Sequence, residues 1–178
     1  KGPVRRQRQG GLADSLERLQ TDYIDLYYLH NDDATVAILD QVRTAHDLVQ
    51  SGKVRHIGLS NHSPERMREW FVTAKREGLT VPVAIQPGYN LVMRRKYEQE
   101  YAPIVEEFTV AMFPYSALAS GFLTGKYRTQ EDADKRARGF AAAPYLNADG
   151  LAVVDALVEI ADERGVEPAT IALAWLRA

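Results

Sequence analysis

The sequence has 178 residues and a formal net charge of −2 at pH 7, with 46% hydrophobic residues, 26% charged residues and no cysteine. These values are typical of one globular domain with a buried core, and they give no electrostatic reason to expect binding to nucleic acid or membranes. The absence of cysteine excludes disulfides, thiolate metal sites and a thiol nucleophile. It also fits a reducing compartment, and we expect a cytoplasmic protein.

The two ends of the sequence indicate cuts through a longer protein. The first residue is not Met, and an apolar helical pattern runs into the last residues. No apolar stretch follows the charges at the start, and no run of about 18 apolar residues occurs, so we expect neither a secretory signal nor a membrane span. The short basic run at Arg5, Arg6 and Arg8 is interpreted as solvated surface or a mobile terminus.

Four short segments rich in β-branched and aromatic residues predict buried strands. They are residues 23–30, 54–60, 81–86 and 109–115. Apolar spacing, prolines and glycines predict intervening helices at 36–51, 64–77, 96–107 and 150–164, and Glu167-Pro168 opens another. The segment 128–148 is predicted to be a long polar loop that covers a site.

Alternating strands and helices predict an α/β fold with a parallel sheet. An open doubly wound sheet and a (β/α)8 TIM barrel share this pattern. The barrel is favoured because no G-x-G-x-x-G turn follows any strand, and because polar residues stand at successive strand ends, which in a barrel share one mouth. These residues are His30, Ser60, Asn61, Gln86, Tyr115 and Ser116. A full barrel needs eight strands and about 250 residues, so this one is incomplete.

Among the four histidines, His30 is the candidate for chemistry. At a strand end facing a pocket it can donate a hydrogen bond to a carbonyl oxygen. The alternative is a loop histidine that caps the following helix. His46, His56 and His62 fall in a helix, a strand and a loop without the spacing of metal ligands, so no metal is expected.

The amide side chains of Asn61 and Gln86, with the hydroxyl of Ser60, offer donors and acceptors that match a carboxamide. Ordinary turn chemistry at a strand exit is the alternative for these residues. Asp25 lies in the middle of a strand, where we expect a paired carboxylate away from the mouth.

The stretch 115–126 combines an aromatic ring, small residues and a cation. Tyr115 can stack on a flat ring, the small residues admit an anion to the backbone N–H groups, and Lys126 adds positive charge. A Walker loop is excluded, because one residue too few separates Gly121 from Gly125, and because Tyr127 stands where Ser or Thr must bind magnesium.

Taken together, these segments resemble the aldo-keto reductase family. Residues 15–30 are similar to its helix and fourth strand, which ends in the catalytic histidine, and residues 52–61 to its fifth-strand signature. Residues 86–90 are similar to the sixth strand, and 115–127 to the seventh with its cofactor loop. The match runs from about Leu12 to the end, and several motifs in the right order make it specific.

The resemblance implies an oxidoreductase that moves hydride between NADP(H) and an aldehyde or ketone. By this resemblance His30 would orient the substrate carbonyl, and Tyr115 would stack on the nicotinamide. The remaining cofactor-binding residues would hold the carboxamide and the pyrophosphate; they are Ser60, Asn61, Gln86, Ser116, Ala117, Leu118, Ser120 and Lys126. The family often has Pro in place of Ala117.

The departures from the family pattern leave alternatives open. The family's general acid is a Tyr supported by an Asp and a Lys from earlier strands, and only Lys1 is a candidate for any of them. The eighth strand, which precedes the loop for the adenosine 2′-phosphate, is also outside the sequence. We therefore expect residues 1–178 to be part of a single barrel domain. A non-catalytic NADP(H)-binding regulatory subunit and a stand-alone half-barrel are the rival interpretations.

Overall fold

A computed structural model describes residues 3–178, with side chains described from residue 11 onward. The predictions for Lys1 and for the side chains of Arg5, Arg6 and Arg8 therefore lie outside the described residues. The chain forms two compact units. One extends to Gln86 and includes Tyr101–Phe113, and the other contains Pro87–Glu100 and Pro114–Ala178.

The first unit is a parallel sheet of four strands in the order β1-β2-β3-β4, flanked by helices. In chain order its elements are α1 (Pro3–Leu19), β1 (Ile24–Leu29), α2 (Ile38–Gln50), β2 (Val54–Ser60), α3 (Pro64–Arg76), β3 (Ala84–Gln86), α4 (Ala102–Phe108) and β4 (Ala111–Met112). Consecutive strands are neighbours, as the alternating sequence pattern predicts.

The register gives the sheet two different faces. Leu29, Leu59 and Ile85 are paired across three strands and are at most 4% exposed. The other face carries Tyr28, Gly58 and Ala84, which are paired across the three strands near their C-terminal ends. Because successive side chains in a strand alternate between faces, the residue two positions after each of these three belongs to the same face.

The helices α2 and α3 begin and end close to where the sequence signals predict. The Ser63 hydroxyl accepts a hydrogen bond from the N–H of Arg66 at 3.3 Å, and Pro64 occupies the first helical turn of α3. Gly52 and Gly78 adopt positive φ just after α2 and α3. Both helices bury apolar stripes, which include Val42 and Trp70.

The second unit is built from helices around its own core. A 3₁₀ segment (Ala119–Thr124) is followed by α5 (Gln130–Asp134), α6 (Gly139–Ala142), a 3₁₀ turn (Ala143–Tyr145), α7 (Ala148–Arg164) and α8 (Pro168–Trp175). Phe122, Leu123 and Tyr127 are almost completely buried, together with Val154 and Leu157 of α7. The helix predicted at 150–164 and the one that Glu167-Pro168 opens are confirmed as α7 and α8.

The prediction of a long loop at 128–148 is wrong, because the segment contains three short helical pieces. The first is held by a capping box: the Thr129 hydroxyl accepts from the N–H of Asp132, and the Asp132 carboxylate accepts from the N–H of Thr129. Ala133 and Ala142 are buried in the core of this unit. The sequence did not indicate this burial, because the small apolar residues of the segment are scattered among charged ones.

Other boundaries also differ from expectation. The predicted strand 81–86 contains only Ala84–Gln86. The predicted strand 109–115 contains only Ala111–Met112, because Thr109 ends α4 in the left-handed region (φ 54°) and Pro114 has no N–H for the ladder. The predicted helix 96–107 is a π-helical turn, Tyr97–Tyr101, followed by α4.

Candidate active site

His30 and Asn61 follow neighbouring strands and are joined directly. The Asn61 Nδ2 donates a hydrogen bond to the backbone carbonyl of His30 at 2.8 Å, and Asn61 is left-handed with φ 51°. The His30 side chain is exposed. The interpretation of His30 as a helix cap is wrong, because α2 begins at Ile38 after Ala37 without any side-chain cap.

Ser60 and Gln86 are paired across β2 and β3 and have different surroundings. The Ser60 hydroxyl is buried and donates to the carbonyl of Gln86 at 2.9 Å, so it ties the two strand ends together. The Gln86 side chain is half-buried, and its amide makes no hydrogen bond with any residue that the structure describes. The first unit therefore brings His30, Ser60, Asn61 and Gln86 to successive strand exits.

An ion pair holds the loop that follows His30. The Arg66 guanidinium contacts both carboxylate oxygens of Asp32, with Nη2 to Oδ1 at 2.9 Å, and the buried Gln41 Nε2 donates to the same Oδ1 at 3.1 Å. Burial raises the pKa of Asp32, but hydrogen bonds from Arg66 and Gln41 outweigh it and bring the pKa below its ordinary value. The hydrogen bond with Asp32 likewise raises the pKa of Arg66. Sequence reasoning missed this pair, because its partners are 34 residues apart and no local pattern links them.

The β2 exit is held by His62 and Tyr101. The His62 Nδ1 lies 2.8 Å from the carbonyl of Ser60, and since a carbonyl only accepts, Nδ1 carries the hydrogen. The other ring nitrogen lies 3.9 Å from Oδ1 of Asp32. Tyr101 donates its hydroxyl to the carbonyl of His62 at 2.8 Å. Buried polar contacts thus fix the backbone around both Ser60 and Asn61.

The remaining polar predictions in this unit have structural explanations. Asp25 is confirmed as a paired carboxylate, with Arg55 Nη1 at 2.7 Å from its Oδ1. His46 Nδ1 lies 2.9 Å from the hydroxyl of Thr80 and accepts from the Thr80 N–H. Among residues 11–178 no three His, Asp or Glu side chains are grouped as metal ligands would be.

Tyr115 in the second unit lies against the segment that follows β3. Its N–H donates to the carbonyl of Pro87 at 2.9 Å, and its own carbonyl accepts from the N–H of Tyr89 at 3.4 Å. Gly88 is paired with Tyr115 in a parallel bridge, and a Cβ at Gly88 would lie 3.1 Å from Cε2 of the Tyr115 ring. The residue as a whole remains 41% exposed.

The loop after Tyr115 is rich in left-handed residues. Positive φ values occur at Ser116 (57°), Ala119 (49°), Ser120 (57°) and Gly121 (92°). Ala117 is half-buried, and Leu118 packs against the core of this unit. The N–H groups of Ala119 and Gly121 donate to the carbonyls of Ser116 and Leu118 at 2.8 and 2.9 Å, so these bonds hold the turn itself.

Lys126 brings positive charge to this loop. A Cβ built on Gly121 would lie 2.9 Å from the Lys126 Nζ, so the ammonium group lies directly over the Gly121 backbone. The same Nζ is 5.3 Å from the ring centre of the buried Tyr127. The second unit thus offers an exposed tyrosine, a turn of small left-handed residues and a cation, which suit the ring and pyrophosphate of a nicotinamide dinucleotide. Considered by itself, the half-buried amide of Gln86 in the first unit offers the donors and acceptor that a carboxamide needs.

Comparisons with known proteins confirm the family resemblance. The model of the aldo/keto reductase family matches residues 9–178. A probable voltage-gated potassium channel subunit beta from Oryza sativa subsp. japonica is 37% identical, covering 98% of this chain and 55% of that protein. Aflatoxin B1 aldehyde reductase member 2 from Mus musculus is 35% identical, covering 72% of this chain and 35% of that protein.

Comparison with a solved structure identifies the fold. The glycerol dehydrogenase from Gluconobacter oxydans matches with a TM-score of 0.75 and 28% identity, covering 97% of this chain and 51% of that one. The α/β fold, with its parallel sheet and flanking helices, corresponds to part of a (β/α)8 barrel. The chain belongs to the aldo/keto reductase family of oxidoreductases. It spans about half the length of the first relatives it matches.

Proposed function

We propose that the protein transfers hydride between NADP(H) and the carbonyl carbon of a small aldehyde or ketone. The observation that carries this proposal is the pairing of His30 with Asn61 at adjacent strand exits. This hydrogen bond holds the backbone at His30 while the His30 imidazole stays exposed, and the same unit presents the half-buried amide of Gln86 at the end of β3. Membership of a family of oxidoreductases supports the same chemistry.

The residues of the first unit would handle the reacting groups. The cofactor, when bound, supplies or accepts the hydride. His30 would donate a hydrogen bond to the carbonyl oxygen of the substrate and so orient it and stabilise the negative charge that develops there. Ser60, Asn61 and Gln86 would hold the carboxamide, which needs both donors and acceptors.

The residues of the second unit would bind the rest of the cofactor. Tyr115 would stack on the nicotinamide ring through its exposed face. Lys126 would neutralise the pyrophosphate beside the left-handed loop. The pyrophosphate would be lined by residues of that loop, namely Ser116, Ala117, Leu118 and Ser120.

The test uses the full-length protein and follows NADPH oxidation with a panel of aldehydes and ketones. His30→Ala is expected to lower kcat by about 100-fold, within the usual range for loss of a proton-handling side chain. NADPH affinity should stay unchanged. His56→Ala is the matched control, since His56 is exposed on β2 and has no proposed role. Absence of turnover with every carbonyl would overturn the proposal.

A second candidate is a regulatory subunit that binds NADP(H) without turnover. It is favoured by the similarity to two probable channel beta subunits, at 37% and 36% identity over 98% of the chain. NADPH binding detected by fluorescence, together with no carbonyl reduction, would support this candidate. Turnover that depends on His30 would exclude it.

A further inference from the structure

We infer that Asn90 is a positioning residue for Tyr115, an inference that rests on the proposed stacking of the nicotinamide on that ring. Asn90 is completely buried, at 0% exposure, although its side chain is polar. Burying an amide is unfavourable unless its hydrogen bonds are made. The contacts that Asn90 makes therefore indicate its role.

All four polar groups of Asn90 are engaged. Its Nδ2 donates to the carbonyl of Ser116 at 2.9 Å, and its Oδ1 accepts from the N–H of Val92 at 3.0 Å. Its backbone N–H and carbonyl exchange hydrogen bonds with Met93 at 3.3 and 3.0 Å. The side chain thus links a tight turn of residues 90–93 to the residue that follows Tyr115.

The bond to Ser116 supports a backbone conformation that a serine does not prefer. Ser116 is left-handed with φ 57°, which carries a steric cost for any residue with a Cβ. Its carbonyl accepts two hydrogen bonds, from Asn90 and from the N–H of Ala119 at 2.8 Å. Without the Asn90 amide one of these is lost, and Ser116 is freer to return to negative φ. That change would turn the peptide that joins Tyr115 to Ser116.

The direction of the Tyr115 ring depends on that peptide. Pro87 and Tyr89 bind the N–H and the carbonyl of Tyr115, and the ring lies against Gly88. Residues 87–90 thus make several contacts with Tyr115, and the hydrogen bond from Asn90 to Ser116 adds one more beside it. A stacking ring is useful only when its face is held at a fixed angle to the bound ring.

The segment that carries Asn90 is itself anchored. The Tyr89 hydroxyl donates to Glu98 Oε1 at 3.0 Å, and the Tyr89 ring centre lies 4.7 Å from that of Tyr97 and 5.1 Å from that of Trp175. Because its segment is held in this way, Asn90 fixes the position of Tyr115 and does not move with that residue.

The test measures the Kd for NADPH in the full-length protein by fluorescence titration. Tyr115→Ala is expected to weaken binding by about three- to tenfold, the worth of one aromatic stacking contact. Asn90→Ala should weaken it by about threefold, and by no more than Tyr115→Ala does, because its effect is exerted through that ring. The double variant should bind within about twofold of Tyr115→Ala alone, because Asn90 acts through that ring.

Two further variants separate positioning from general stability. Asn90→Ser keeps a hydroxyl that can bond to the Val92 N–H but cannot reach Ser116, so it should weaken NADPH binding even if Asn90→Ala fails to fold. Asn147→Ala removes the cap of α7, where Oδ1 accepts from the Gly150 N–H at 2.9 Å, and it should lower Tm without changing the Kd.

The outcomes distinguish this inference from the proposed function. If Tyr115→Ala leaves NADPH affinity unchanged, stacking on that ring is wrong and the inference falls with it. If Tyr115→Ala weakens binding but Asn90→Ser and Asn90→Ala do not, the inference alone is overturned. Fully additive losses in the double variant would also overturn it, because they would show that Asn90 acts independently of the ring.

Discussion

Arg66, in the first turn of α3, binds both carboxylate oxygens of Asp32, which lies two residues beyond His30. The Asp32 side chain is 11% exposed and that of Arg66 is 25% exposed, so solvent screens this ion pair less than a surface pair. The ion pair therefore ties the loop after β1 to the start of α3.

Replacing Asp32 by Asn should destabilise the protein by about 2–3 kcal/mol, the usual cost of removing a charged hydrogen-bond partner from a partly buried site. Chemical denaturation of the wild type and the variant measures the difference. Asp25→Asn is the matched control, because its pair with Arg55 is exposed and should contribute at most about 1 kcal/mol. Equal losses in the two variants would show that the Asp32 pair is no stronger than a surface pair.

The same carboxylate should make stability depend on pH in the acid range. The pKa of Asp32 is lowered in the folded state, so its contribution is present above the unfolded pKa of about 4 and is lost as pH falls through the folded pKa. The difference in unfolding free energy between wild type and Asp32→Asn should therefore shrink below about pH 4. A difference that stays constant from pH 7 to pH 2.5 would contradict this assignment.

Gly58→Ala should destabilise the first unit by about 1–3 kcal/mol, as overpacking usually does. A Cβ at this position would lie 2.4 Å from Cε1 and 2.6 Å from Cδ1 of the Tyr28 ring, which fills the space beside the glycine. Thermal unfolding measures the effect. Gly11→Ala is the control, since a Cβ there meets no atom within 4 Å. A Gly58→Ala protein as stable as the wild type would show that the Tyr28 ring is not held in that place.

Thr129→Ala should cost about 1 kcal/mol, because it removes the cap of α5. Hydrogen exchange at residues 130–134 should become faster, while exchange in α7 should stay unchanged. A segment that behaved as an unstructured loop would exchange quickly in the wild type already, and the substitution would then have no effect.

The sequence predicted those elements whose signals are local. The strand Val54–Ser60 has the predicted bounds, and α3 begins at its predicted proline. The short helices after Thr129 were missed, because their burial depends on small residues packing against α7 and not on a continuous apolar stripe. The strand exits could be located from polar residues at strand ends, which is a local pattern.

The contacts that hold these exits could not be predicted from sequence. The hydrogen bond from Asn61 to His30 joins residues 31 apart, and that from Asn90 to Ser116 joins residues 26 apart. Such bonds depend on which strands become neighbours and in what register. Likewise, nothing in the sequence indicates that the hydroxyl of Ser60 is buried and donates to the neighbouring strand.

Asn61 meets two separate requirements at once, since its backbone is left-handed and its side chain must donate to the neighbouring strand exit. Glycine satisfies the first requirement but has no amide, whereas glutamine carries the amide on a residue that disfavours this backbone region. Aspartate tolerates the backbone but presents a carboxylate to a carbonyl oxygen. A library of all substitutions at this position should therefore retain function almost only with asparagine, a far narrower tolerance than its exposed location would lead one to expect.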